Sequence, residues 1–237
     1  MTQENLNKQI IITAILLIAV VLLFDFSNID MLVQNHFYNF ENKLWLVSGD
    51  DKVLKFIFYD GFKKLFKIFS VLVLILTILS FFKRFNILHS YKKGLLILLL
   101  SMMFVPSLAG LKSVTNMPCP FNVIDYGGKY PEVKLFSSYP KDNTPPKILK
   151  CYPAGHATIG FSLMAIYFLF KTKRNRNIAL SIGVSIGVLT GGYKMLIGHH
   201  FLSHTLVTMI SAWLIILLIV KFISFLDKTK FKKLTTI

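Results

Sequence analysis

The chain is expected to be an all-α, six-transmembrane-helix bundle with an extended outer loop, and three observations predict this. It is 54% hydrophobic and only 16% charged over 237 residues, with a mean hydropathy of +0.60, too apolar for an ordinary soluble domain. Apolar runs near the length of a bilayer recur along it. The Lys and Arg residues fall in short clusters flanking those runs, as membrane proteins place them. The net charge of +16 raises the question of nucleic acid. The basic residues form no single stripe, however, so a nucleic-acid partner is not expected. We read one integral membrane domain over residues 1–237, with no sequence repeat.

Six runs are marked. They are Gln9 to Phe24, Phe66 to Phe82, Gly94 to Leu111, Gly155 to Phe170, Ile178 to Ile197 and Phe201 to Val220. Each approaches the roughly 20 residues that a spanning helix needs. The first does not read as a signal peptide: only Lys8 precedes it closely, and DFSNID follows where small residues would mark cleavage. The fifth run carries Gly183, Gly187 and Gly191 four residues apart, a pattern that permits close helix packing.

Loop charge sets the orientation. Lys83, Arg84, Lys92 and Lys93 lie between the second and third runs, KTKRNR (171 to 176) between the fourth and fifth, and Lys228, Lys230, Lys232 and Lys233 after the sixth. These read as cytoplasmic, with both termini. The acids Asp25, Asp30, Glu41, Asp50, Asp51 and Asp60 follow the first run, and Asp125, Glu132 and Asp142 follow the third. Those loops are read as lying on the opposite face. The segments HFYNFENKLWLV and DKVLKFIFYDGFKKLFK after the first run are aromatic and basic, which suits helices lying in the membrane interface. The 112–152 loop is rich in proline and free of regular structure, and long loops of that kind tend to be functional. Cys119 and Cys151 both sit in it. In an oxidising compartment the pair is expected to form a disulfide, worth about 3.5 kcal/mol in the chain-entropy model.

Three patches converge at the outer ends of the runs. Lys112 opens KSVTNMPCP, Gly155 and His156 stand in CYPAGHAT, and Lys194, His199, His200 and His204 lie at the junction of the fifth and sixth runs. An ionisable residue such as Lys194 near a span is a functional signal by default, with snorkelling to the interface as its bland alternative. The residue types suit phosphoryl transfer. Lysines supply charge to phosphate oxygens. Gly155 opens a helix whose free N–H groups favour an anion. One histidine can be a nucleophile and a second a general acid.

The pattern resembles the type 2 phosphatidic acid phosphatase and vanadium haloperoxidase superfamily, in its membrane-bound branch. The family's first motif, Lys, six residues, Arg-Pro, is matched by Lys112, six residues, Cys119-Pro120. Its Pro-Ser-Gly-His is matched by Pro153-Ala154-Gly155-His156. Its Ser-Arg, five residues, His, three residues, Asp is matched by Tyr193-Lys194, five residues, His200, three residues, His204. The motif-bearing core spans about 94–222. The resemblance implies a membrane lipid-phosphate phosphatase acting through a phosphohistidine intermediate in a bacterial inner membrane, with a periplasmic site. His200 would be the nucleophile, His156 the general acid and His204 the group orienting His200. Lys112, Lys194 and the backbone of Gly155 would bind phosphate. No cofactor or metal is implied. The substrate would be a phosphorylated lipid: phosphatidate, a polyprenyl diphosphate or a lipid A phosphate.

Five positions depart from the pattern: Cys119 and Lys194 stand for arginines, Ala154 and Tyr193 for serines, and His204 for the aspartate. An outer-loop acid such as Asp125 is a candidate to replace that carboxylate. The departures keep open a non-catalytic protein that binds or moves phosphorylated lipid, and transfer to another lipid is a close variant. A metal site on His200, His204 and His156 is a third reading, weakened by the absence of a nearby carboxylate and the presence of lysines.

Overall fold

The structure, a computed structural model, describes residues 2–234, with side chains through residue 226. The Lys228 to Lys233 cluster used for orientation lies beyond those side chains. Among the described residues the protein is almost entirely helical. The long helix α1 (Gln3–Asp25) starts at Thr2, whose side chain accepts from the Asn5 N–H. A short α2 (Ile29–Gln34) follows. Strands β1 (Tyr38–Asn39) and β2 (Leu44–Trp45) then pair antiparallel, Tyr38 opposite Trp45. The interfacial helix expected over HFYNFENKLWLV is therefore a small hairpin, its turn held by Asn39 Oδ1 accepting from the Glu41 and Asn42 N–H groups.

The second aromatic segment is helical as expected: α3 (Lys52–Lys55), a π-helical turn at Phe56–Asp60, then α4 (Gly61–Leu79). Next come α5 (Asn86–Ser90), α6 (Lys92–Phe104), α7 (Lys112–Thr115) and α8 (Gly155–Ser162). The chain ends in α9 (Lys173–Leu196) and α10 (Leu202–Leu234).

Among the described residues four helical stretches are long and apolar enough to cross a membrane: Gln3–Asp25, Lys92–Asn122, Lys173–Leu196 and Leu202–Leu226. Of the six expected spans, the second and fourth fall short of that standard. The helix holding the second run carries Lys63, Lys64 and Lys67 in its first two turns. The fourth run forms only the shorter apolar helix Gly155–Leu169, in which α8 tightens into a 3₁₀ stretch at Leu163–Leu169. The protein is a multi-pass membrane protein.

α10 is the hub, packing on α1, α6, α8 and α9. Phe161, Leu98, Ile216, Leu217 and Val105 are fully buried around it. The glycine stripe of α9 faces α8 and the 3₁₀ stretch: a side chain at Gly183 would strike the Met164 backbone, and one at Gly187 the Phe161 ring. Outward, Ile11, Ile15 and Ile18 of α1 and Ile68 and Val71 of α4 are exposed, an apolar surface suited to lipid. Hydroxyls within the apolar helices bond back to their own turns, as Thr13 does to the Gln9 carbonyl at 2.7 Å and Ser101 to the Ile97 carbonyl at 2.7 Å.

Candidate active site

The histidine turn is made by the way α9 ends. Gly198 adopts a left-handed φ of +72°. Its N–H bonds to the Met195 carbonyl at 3.0 Å, and the His199 N–H bonds to the Lys194 carbonyl at 2.8 Å. That is a Schellman cap, which reverses the chain over the helix end. Glycine is required here twice over, because a side chain at Gly198 would also strike the Trp45 indole. The remaining carbonyls of the turn are taken up by distant parts of the chain. Gln34 Nε2 donates to Met195 at 3.0 Å, the Val47 N–H to Leu196 at 3.4 Å, and the Phe121 N–H to Gly198 at 3.0 Å. The Leu196 and Gly198 carbonyls thus gain partners, and the Met195 carbonyl a second one.

The start of α10 is held in the same way. Asp30 of α2 is buried, and its Oδ1 accepts from the Ser203 N–H at 2.8 Å, placing a carboxylate at the positive end of the helix. Burial, opposed by the Ser203 hydrogen bonds and by Lys134, raises its carboxyl from 3.8 to about 6. The folded state then holds the proton more tightly than the unfolded chain. Stability is fullest below about pH 4 and falls as the pH rises through about 6, by on the order of 3 kcal/mol. Thermal melts of purified protein in detergent should register that decline, and Asp30→Asn should flatten it.

Around this turn the motif residues meet. The His156 and His200 ring centroids are 6.2 Å apart. Gly155 has no side chain because Lys112 occupies its place: an added Cβ would lie 2.9 Å from Lys112 Cε and 3.3 Å from its Nζ. Lys112 therefore lies against the first turn of α8, one residue from His156. It acts electrostatically on His156, His199, His200 and His204, and Lys194 acts on His156 and His199. Lys194 is only 8% exposed. The buried Ala154 ties this turn to α10, its N–H donating to Thr208 Oγ1 at 2.9 Å and to the His204 carbonyl at 3.2 Å.

His200 is 3% exposed and His204 is fully buried. Their Nδ1 atoms are 3.4 Å apart, the long end of a hydrogen bond. Tyr152 and Phe201 pack edge-on to His204, and the Cys151 backbone lies within reach of its ring. Burial, reinforced by His204 and Lys112, holds the His200 imidazole well below its usual range. At neutral pH it is the free base, the form with a lone pair to give. His199 lies inside the site as well as beside it. Its ring packs on Phe121 at 5.1 Å, and burial, with Lys194 and Lys112, lowers its pKa to about 4.

Among the described residues no carboxylate acts on His200 or His204. Asp125 instead lines a separate cleft with Asn28, Asn35 and Glu132, so the expectation that it replaces the absent aspartate is not met. Among the described residues no three His, Cys, Asp or Glu side chains are grouped to hold a metal. The Cys119 and Cys151 sulfurs are bonded, with Cα atoms 5.2 Å apart. The bridge joins the Lys112 segment to the segment entering α8.

Two residues escaped the sequence reading. Tyr59 packs on His156, centroids 4.8 Å apart, and the Lys63 ammonium sits 3.7 Å from the Tyr59 ring centre. Their only sequence signal is an aromatic, lysine-rich stretch, which interfacial anchors share.

His156 and His200, with Lys112 and Lys194 acting on the group, thus come together at one end of an apolar helix bundle in a multi-pass membrane protein. A model of the PAP2 superfamily matches residues 94–228, more than half of the chain, and the protein belongs to that superfamily. It is similar to the Lipid A 4'-phosphatase of Francisella tularensis subsp. novicida (strain U112), 27% identical over 206 residues, covering 80% of this chain and 86% of that relative. No solved structure matches it.

Proposed function

We propose that the protein is a membrane phosphatase that hydrolyses the phosphomonoester or diphosphate of a lipid through a phosphohistidine intermediate. The observation that carries this reading is the facing pair His156 and His200, 6.2 Å apart, with Lys112 laid against Gly155. The His200 lone pair attacks the terminal phosphorus, forming the N–P bond as the bond from phosphorus to the leaving oxygen breaks, the ester oxygen of a monoester or the bridging oxygen of a diphosphate. His156 delivers a proton to that oxygen. Water then attacks the phosphohistidine, giving its proton to His156 and releasing orthophosphate. Lys112, Lys194 and the first N–H groups of α8 hold the phosphate oxygens. The dianion itself favours the imidazolium of His156 that the first step needs.

The similarity to a lipid A phosphatase supports a lipid A phosphate as substrate, with phosphatidate and polyprenyl diphosphates as the alternatives. In this reading the chain crosses a bacterial inner membrane six times, both termini cytoplasmic and the site periplasmic. Phosphate release by purified protein from a panel of these lipids tests it, and no turnover of any lipid phosphate would overturn it.

The histidine at position 204, with no carboxylate acting on His200 among the described residues, favours a second reading, a protein that binds phosphorylated lipid without cleaving it. His204→Asp separates the two. An aspartate oxygen reaches about as far from the backbone as a histidine Nδ1, so it would meet His200 and stabilise the developing positive charge. An active enzyme should gain about tenfold in kcat, whereas a binder gains no turnover.

A further inference from the structure

A third lysine stands near His156, across the Tyr59 ring, and it comes from outside residues 94–228. The π-helical turn Phe56–Asp60 is fastened to α9 by Phe58 stacking on Tyr193, centroids 5.4 Å apart and rings inclined by 21°. That anchor presents Tyr59 to His156. The Tyr59 ring then carries two ammonium groups, Lys63 at 3.7 Å and Lys194 at 4.6 Å from its centre. Lys63 acts electrostatically on both Lys194 and His156. Asp60 acts on Lys194, but among the described residues no carboxylate acts on His156 or on Lys112. Like charges gathered on one ring, with so little to neutralise them, are arranged for an anion.

We propose that Lys63 is a third phosphate-binding residue, supplying from the N-terminal half of the chain the positive charge that Cys119 does not. Tyr59 is a positioning residue that holds Lys63, Lys194 and the His156 ring about the bound tetrahedral dianion. This deepens the phosphatase reading and rests on it. A monomeric ammonium can approach one phosphate oxygen, so three lysines share the oxygens that two forked arginines would grip in pairs.

The test uses full-length protein in detergent, with inorganic phosphate as the probe. Calorimetry gives phosphate affinity without any turnover, and lipid-phosphate hydrolysis gives KM and kcat. Lys63→Met should weaken phosphate binding about tenfold and raise KM by a similar factor, with kcat nearly unchanged. Lys63→Arg should keep both near the parent values. Tyr59→Phe, which keeps the ring, should behave as the parent, while Tyr59→Leu should lose both affinity and kcat. Lys63→Met with parental affinity and KM would overturn the proposal, as would a parent protein that binds no phosphate. If the parent binds phosphate through Lys63 yet cleaves no lipid, the phosphatase reading fails and the Lys63 assignment stands. Should Tyr59→Leu lose its monodisperse elution, the contrast between Met and Arg at position 63 decides alone.

Discussion

Replacing His200 with alanine should lower kcat by on the order of 10⁵ for any lipid phosphate the enzyme cleaves. The expectation follows from what the turn does to this side chain. The Schellman cap at Gly198 lays His200 over the end of α9, and burial keeps its imidazole neutral. Removal therefore deletes the covalent route, leaving water to attack phosphorus directly. The lysines would remain, so affinity for inorganic phosphate should stay within a few-fold of the parent, which separates lost chemistry from lost folding. Acid-labile, alkali-stable phosphoprotein, trapped by rapid quench in the parent, should be absent from the variant. Phosphoprotein persisting in His200→Ala would move the nucleophile elsewhere.

His156→Ala should cost about 10³ in kcat with a lipid alkoxide as leaving group. An alkoxide leaves poorly without a proton, and His156 is the histidine across the site from His200. With p-nitrophenyl phosphate, whose leaving group needs no proton, the first step should recover most of its rate. The second step still needs a base for water, so the variant should show a burst and accumulate phosphohistidine. An equal loss with both substrates, and no burst, would assign His156 to binding instead of proton transfer.

Much of the site was legible because its residues are near one another in sequence as well as in space. His200 and His204 are one helical turn apart, and Gly155 adjoins His156. Lys112, His156, Lys194 and His200 were each placed by spacing and by their position at the ends of apolar runs. What spacing did not supply was their support. Asp30 reaches Ser203 across 173 positions, and Gln34 reaches Met195 across 161. Nothing local marks either as a cap for a helix that distant. The same limit applies to Lys63: a lysine on an interfacial helix has one sequence signature whether it faces headgroups, solvent or a phosphate site. The hairpin was misread as helix because two-residue strands are too short to establish an alternating pattern.

The amino-acid sequence by itself determined the membrane class and which motif residues lie at the ends of the apolar runs. A run of apolar residues has only the bilayer or a core to enter, and imidazole and ammonium groups are costly there unless they have a task. Only the tertiary structure decided which residues complete the site. It seated Tyr59 against His156 and put the Lys63 ammonium over the ring. It left His204 facing His200 with no carboxylate among the described residues acting on either, and fastened the histidine turn with side chains from the first fifty residues. The reason is physical: helix periodicity records which face of a segment is buried, while the partner that covers that face is chosen by packing across the whole chain.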